Sequence, residues 1–172
     1  MADGGSGKTA IHVAVSPAEV AGLEGTFRAR SCSVIHVELD GVRLRRELCD
    51  RLSETFLFPY ATGSLDAAID LLSDLSWIGN ECGYLVVVEG ADRASATVLA
   101  DLMAILPFVA DRWRSQQTTF VVLLVGAARR ELCLAELRRA NEELVRFAEL
   151  PWAHDVFPAE VVDHQRGTSG AT

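Results

Sequence analysis

The sequence predicts an α/β protein in which a parallel sheet of three to four strands is covered by helices. Short runs rich in Val and Ile alternate with amphipathic segments, which is the pattern of βα units around a parallel sheet. The apolar runs are nearly continuous, as expected for strands that are buried on both faces. A chain of 172 residues suits one domain with a substantial core.

The first predicted strand covers residues 10–15 and stops at Ser16. Ser16 and Pro17 are typical of a helix start, because serine caps exposed N–H groups and proline tolerates the first turn. A second strand over residues 32–39 ends at an Asp-Gly turn. Apolar residues at four-residue spacing then predict a helix over residues 43–56.

A loop over residues 57–63 follows, because Pro59 and Gly63 interrupt the periodicity. The next segment, residues 63–77, reads as an acidic helix for which Ser64 is a suitable N-cap. It is followed by a Val-rich strand over residues 84–89.

A long helical pattern covers residues 95–114, and Pro107 should kink or split it. The last predicted strand covers residues 118–126, and a final amphipathic helix covers residues 127–150. We expect this helix to cover the sheet edge, with contact to a partner or a second copy as the less favoured role.

The predicted domain organisation has three parts. Residues 1–9 form a flexible leader, residues 10–150 form a single domain, and residues 151–172 form a loosely ordered tail. The sequence contains no export signal and no apolar run long enough to span a membrane.

The formal net charge of −8 argues against a nucleic-acid or membrane surface and favours a basic partner. Four cysteines without paired spacing indicate reduced thiols and therefore a cytoplasmic protein. No cofactor or metal is expected. Cys32 and His36 share one side of a strand, but two ligands do not make a zinc site.

The acidic helix carries Asp66, Asp70 and Asp74 at four-residue steps. Like charges at this spacing repel each other by about 0.2–0.5 kcal/mol per pair. No Lys, Arg or His occurs between Arg51 and Arg93, whereas seven acidic residues do. The negative charge is therefore concentrated in one part of the sequence, and we expect the three carboxylates to face solvent without a cation from the same chain.

Several interpretations of the acidic helix remain open. It is either an ordinary solvated face or an electronegative surface that recognises a basic cleft. Paired general acid and base carboxylates are less favoured, because nothing in the sequence separates their environments. A carboxylate metal site is equally weak, because no His lies at helical spacing.

The segment from "VIHVELDGVRLRRELCDRL" through "ETFLFPYATGSLDAAIDLLSDLSWI" to "GYLVVVEGADR" resembles the barstar family of intracellular ribonuclease inhibitors. The shared order is a strand ending in Asp-Gly, a helix, a Phe-Pro loop ending in Gly, an acidic helix ending in Trp, and a Val-rich strand. A later stretch, "ADRWRSQQTTFVVLLVG", extends the resemblance over residues 32–126. The loop is one residue shorter than the family's, and Ile69 stands where the family often has Trp.

The resemblance implies a barstar-like three-layer fold and a binding protein rather than an enzyme. It implies a basic, extracellular-type ribonuclease as the partner, blocked by carboxylates that take the places of substrate phosphates through charge-assisted hydrogen bonds. The partner-binding residues that it implies, with the neighbouring candidates, are Tyr60, Gly63, Asp66, Ile69, Asp70, Asp74, Trp77 and Asp101.

Two alternatives accompany this prediction. The first is a barstar-like domain that binds a different basic protein. The second, less favoured, is a degenerate P-loop at "GGSGKT", residues 4–9, which fails the Gly-x4-Gly-Lys-Ser/Thr spacing by one residue. The sequence does not predict an oligomeric state.

Overall fold

The computed structural model describes residues 7–79, 82–150 and 156–165. The strands are β1 (Thr9–Val15), β2 (Ser33–Glu38), β3 (Tyr84–Glu89), β4 (Phe120–Val125) and β5 (Glu160–Asp163). The helices are α1 (Pro17–Ala29), α2 (Arg45–Thr55), α3 (Leu65–Leu72), α4 (Ala96–Ser115) and α5 (Arg130–Ala148).

The five strands form one sheet in the order β2-β3-β4-β1-β5, and every neighbouring pair is parallel. The α/β class and the parallel sheet are therefore confirmed. The predicted number of three to four strands is wrong, because β5 adds a fifth.

The helices cover the two faces of the sheet unequally. Of the described helices, only α1 packs on one face, where Leu85, Val87 and Leu123 meet Val20 and its neighbours. The other face carries the larger core, to which α2, α3, α4 and α5 all contribute. Successive residues of β3 alternate between the two cores, as the pleat of a strand requires. The result is a three-layer arrangement.

The start of α1 follows the predicted chemistry. The Ser16 side chain accepts a hydrogen bond from the backbone N–H of Glu19, and the Glu19 carboxylate accepts one from the backbone N–H of Ser16. This reciprocal arrangement satisfies two N–H groups that a helix otherwise leaves open.

The segment expected to be a loose tail contains an ordered part. His164, next to β5, lies 2.8 Å from His12 of β1 between ring nitrogens, and its other ring nitrogen lies 2.8 Å from the Glu19 carboxylate. Arg130 of α5 pairs with Asp163. The prediction of a loose tail is therefore wrong for residues 156–165, and residues 151–155 and 166–172 lie outside the described residues.

One boundary needs correction, and one expectation is narrowed. Of the kink or split predicted at Pro107, the split does not occur, because α4 runs as one helix through the proline. Thr9 already belongs to β1, so the predicted leader is shorter at this end, and its residues 1–6 lie outside the described part. Because strand β1 begins at Thr9, directly after Lys8, the helix N-terminus that a P-loop needs for phosphate is missing at this position.

Candidate protein-binding surface

The acidic helix α3 is short, and its ends are fixed by local hydrogen bonds. The Ser64 side chain caps the N-terminus by accepting from the backbone N–H of Ala67 at 3.2 Å. At the other end the Ser73 hydroxyl donates to the carbonyl of Ile69 at 2.6 Å. Leu75 then takes a left-handed conformation, φ 46°, which turns the chain away from the helix and buries its side chain.

Helix α4 holds the C-terminal end of α3 from beside it. The Trp113 indole N–H donates to the carbonyl of Leu72 at 2.8 Å, and the Gln116 side chain donates to the carbonyl of Ser73 at 3.2 Å. The last carbonyls of a helix have no partner within the helix, so these bonds satisfy them. The acids are thus presented on a helix that is anchored at both ends.

The three predicted aspartates do not share one helix. Asp66 and Asp70 lie on α3, whereas Asp74 follows the Ser73 cap and belongs to the next turn. All three side chains are exposed. We call Asp66, Asp70 and Asp74 the acidic face.

Asp70 has a cation from the same chain, contrary to expectation. Its Oδ1 lies 2.6 Å from Nη1 of Arg112 on α4, and the two side chains are 66% and 46% exposed. An ion pair this exposed to water contributes only about 0–1 kcal/mol, so a partner's cation can replace Arg112 at low cost. In the part of the chain that the structure describes, no ion pair involves Asp66 or Asp74.

The loop before α3 presents Tyr60 and Gly63. Tyr60 is 61% exposed, and a side chain at Gly63 would meet nothing within 4 Å. The loop is therefore open to a partner, but Gly63 is not required there by crowding or by a positive φ.

Ile69 and Trp77 are partly buried against the core. The Trp77 indole N–H donates to the carbonyl of Phe56 at 2.8 Å, and its ring meets Phe58 edge-on at 6.0 Å between centroids. Trp77 thus secures the turn after α3, and its side chain is only partly available to a partner.

Asp101 is not part of the acidic face. It is buried on α4 and accepts two hydrogen bonds from Arg45, one from Nε at 2.8 Å and one from Nη2 at 2.7 Å. These bonds raise the pKa of Arg45 above its usual value. This carboxylate ties α2 to α4, which argues against the expectation that Asp101 contacts a partner.

An apolar groove beside the acidic face was not predicted. It has a volume of about 700 Å³ and lies between α3 and α5, with α4 beneath it. Asp66, Ile69 and Asp70 line it from α3, and Leu144 and Phe147 line it from α5. We call this the α3–α5 groove. The sequence signal nearest to it is the amphipathic pattern of α5, which predicts cover for the sheet edge, with contact to a partner or a second copy as the less favoured role.

Neither a metal-binding cluster nor a membrane-spanning helix is found among the described residues. Among the described residues, no group of three or more His, Cys, Asp or Glu side chains could hold a metal ion. None of the helices in those ranges has the length and apolar character needed to cross a membrane.

The fold and this surface define a class: three-layer parallel α/β proteins that present exposed carboxylates on a short, anchored helix. Within that class the chain belongs to the barstar family. The family model described as Barstar (barnase inhibitor) matches residues 32–125, more than half of the chain. No curated protein and no solved structure matches.

The family match confirms the resemblance found in the sequence and sets its bounds. It runs from just before β2 to the end of β4 and therefore includes α2, α3 and α4. β1, α1, α5 and β5 lie outside it.

Proposed function

We propose that this protein binds and inhibits a basic, secreted-type ribonuclease in the cytoplasm of the cell that produces the enzyme. The observation that carries the proposal is the exposure of Asp66 and Asp70 on an anchored helix inside the family-matched segment. The family description, barnase inhibitor, supports the choice of partner class.

The physical basis is substitution of carboxylates for phosphates. A ribonuclease holds the RNA backbone with Arg, Lys and His side chains, and these cations form strong hydrogen bonds to carboxylates. A helix fixed by Ser64, Ser73 and Trp113 presents the carboxylates with little further loss of conformational freedom on binding. Tyr60, exposed in the neighbouring loop, extends the contact.

The Arg112–Asp70 pair makes binding an exchange of cations. On association, Asp70 releases Arg112 and accepts a cation of the enzyme. Because the internal pair is exposed, this exchange reduces the affinity only slightly. Removing Arg112 should therefore strengthen binding.

The test is an inhibition assay against a panel of microbial ribonucleases that includes barnase, at low and high salt. Asp66→Asn and Asp70→Asn should each weaken inhibition about tenfold or more. Asp92→Asn is the matched control: Asp92 is also an exposed aspartate, but it follows β3 and lies outside the acidic face. Arg112→Gln should strengthen inhibition by up to about fivefold. Added salt should weaken it, since exposed charges are screened.

One observation favours the second candidate, a barstar-like domain that binds a different basic protein. The acidic face is partly occupied by Arg112, and Ile69 provides no aromatic anchor. If no ribonuclease in the panel is inhibited at low salt, ribonuclease inhibition is rejected and this second candidate takes its place.

A further inference from the structure

The α3–α5 groove combines an apolar interior with a charged margin. Its floor is formed by Ala104, Ile105 and Phe108 of α4, and its two walls are formed by residues of α3 and α5. Val156, which follows α5 in the chain, also lines it. Phe147, on the α5 wall, is 59% exposed. An exposed aromatic side chain at the edge of an apolar groove is typical of a surface that binds a ligand or another protein.

The margin of the groove is acidic. Asp66 and Asp70 lie along the α3 side and Glu143 lies along the α5 side, and all three are exposed. The cation of the margin, Arg112, is already paired with Asp70. Asp111 also lines the groove, but it is buried and accepts a hydrogen bond from the backbone N–H of Phe157 at 2.7 Å.

The α5 wall is a feature that this chain adds beside its family segment. The family match ends at residue 125, whereas Glu143, Leu144 and Phe147 come later. The opposite wall includes Ile69, at the position where the sequence lacks the expected aromatic residue. Here the chain offers an apolar cavity instead of a projecting aromatic ring.

We propose that the α3–α5 groove receives an apolar side chain of the partner, flanked in the partner by Lys or Arg. This inference rests on the proposed function, because the partner is the same basic protein. It adds which side chains of that partner the groove recognises. An apolar side chain fits the floor, and flanking cations complement Asp66, Asp70 and Glu143. An acidic segment would be repelled, and a second copy meeting itself across a two-fold axis would oppose like charges.

The first experiment uses peptides, so that it does not depend on any ribonuclease. The full chain is titrated with Lys-Phe-Lys, Lys-Ala-Lys and Glu-Phe-Glu peptides with blocked ends, while the side-chain NMR signals of Leu65, Ile69 and Leu144 are followed. Lys-Phe-Lys should shift these signals and bind at least about fivefold more tightly than either of the others. Equal binding of all three peptides, or shifts elsewhere only, would overturn the proposal.

Two variants separate the groove from the charges around it. Phe147→Ala should weaken Lys-Phe-Lys binding about fivefold, and its exposed position should leave the fold unaffected. Val145→Ala is the control, because Val145 is 43% exposed on the same helix but does not line this groove. Ala104→Leu should reduce binding by filling the floor. If Phe147→Ala and Ala104→Leu bind like the parent, the groove is not the site.

The second experiment distinguishes this inference from the proposed function. If a ribonuclease of the panel is inhibited and Phe147→Ala leaves inhibition unchanged, the groove proposal fails and the inhibitor proposal stands. If Lys-Phe-Lys binds in the groove and no ribonuclease is inhibited, the inhibitor proposal fails and the groove proposal stands. Sedimentation that shows a dimer dissociated by Phe147→Ala would assign the groove to a second copy and overturn the proposal.

Discussion

Replacing Trp113 with Phe tests how α4 holds the acidic helix. Trp113 is buried, its ring stacks on Phe120 at 6.0 Å between centroids, and its indole N–H donates to the carbonyl of Leu72. Phe keeps the aromatic stacking but has no donor. The substitution therefore leaves the carbonyl at the end of α3 without its partner in a site closed to water.

The expected loss combines two effects. A buried carbonyl left without a hydrogen bond costs about 1–3 kcal/mol. The smaller ring leaves a void that costs about 1 kcal/mol more. The free energy of unfolding should fall by about 2–4 kcal/mol, which is a large share of the 5–15 kcal/mol typical of such domains. With a urea slope of about 2 kcal/mol/M, the unfolding midpoint falls by about 1–2 M.

The assay is urea unfolding followed by circular dichroism, with Trp77→Phe as the matched control. Trp77 also donates its indole N–H to a backbone carbonyl, that of Phe56 at 2.8 Å, but it is only partly buried. Because this hydrogen bond is only partly buried, the loss should be smaller than for Trp113→Phe, below about 1.5 kcal/mol. Equal losses in the two variants, or a loss below about 1 kcal/mol for Trp113→Phe, would refute the reasoning.

Two further predictions concern pH and a glycine. Burial lowers the pKa of His12 below its usual 6.5, and the neighbouring His164 lowers it further. The unfolded chain therefore binds this proton more readily than the folded protein does. As a result, the free energy of unfolding should fall as the pH drops below about 6.5. Urea midpoints at pH 7.5 and 5.5 measure this fall, and a His12→Gln variant that keeps the full pH dependence would contradict it. Gly83 has φ 114° and a Cβ there would lie 2.4 Å from the carbonyl oxygen of Thr119, so Gly83→Ala should cost at least about 1–3 kcal/mol. Gly22→Ala on α1, where a Cβ meets nothing, should not reduce the unfolding midpoint, and equal midpoints for the two variants would exclude the contact.

Much of the fold follows from local sequence patterns. β3 coincides with the predicted strand, and the predicted strands near β1, β2 and β4 are correct to within two residues at each end. The capping signals Ser16 and Ser64 both mark real helix starts. These signals succeed because they depend on neighbours along the chain.

The acidic segment shows where local patterns fail. The leucines and aspartates continue their helical spacing past residue 72, but α3 stops there because Ser73 caps it and Leu75 buries its side chain in a left-handed turn. Burial of Leu75 depends on the tertiary structure, and the spacing alone carries no sign of it.

The charge pattern led to a wrong expectation about ion pairs for a related reason. The absence of cations between Arg51 and Arg93 suggested unpaired acids, but Arg112 reaches Asp70 from 42 residues away along the chain. Asp101 is paired with Arg45, which lies 56 residues earlier in the sequence. A count of charges along the sequence describes the composition of a segment, but it does not show which distant residues lie beside that segment in the fold. For the same reason β5, four residues that become a strand only against β1, escaped prediction.

The strand order has a practical consequence for anyone who wishes to isolate the family segment. β4 lies between β3 and β1, so a fragment of residues 32–125 would lose β1 and leave one side of β4 without a hydrogen-bonding neighbour. That strand reads Phe-Val-Val-Leu-Leu-Val, and such an uncovered edge invites intermolecular sheet formation. The excised segment should therefore tend to aggregate. In the intact chain, β1 covers this edge of β4 and so protects the family-matched segment from pairing with other molecules.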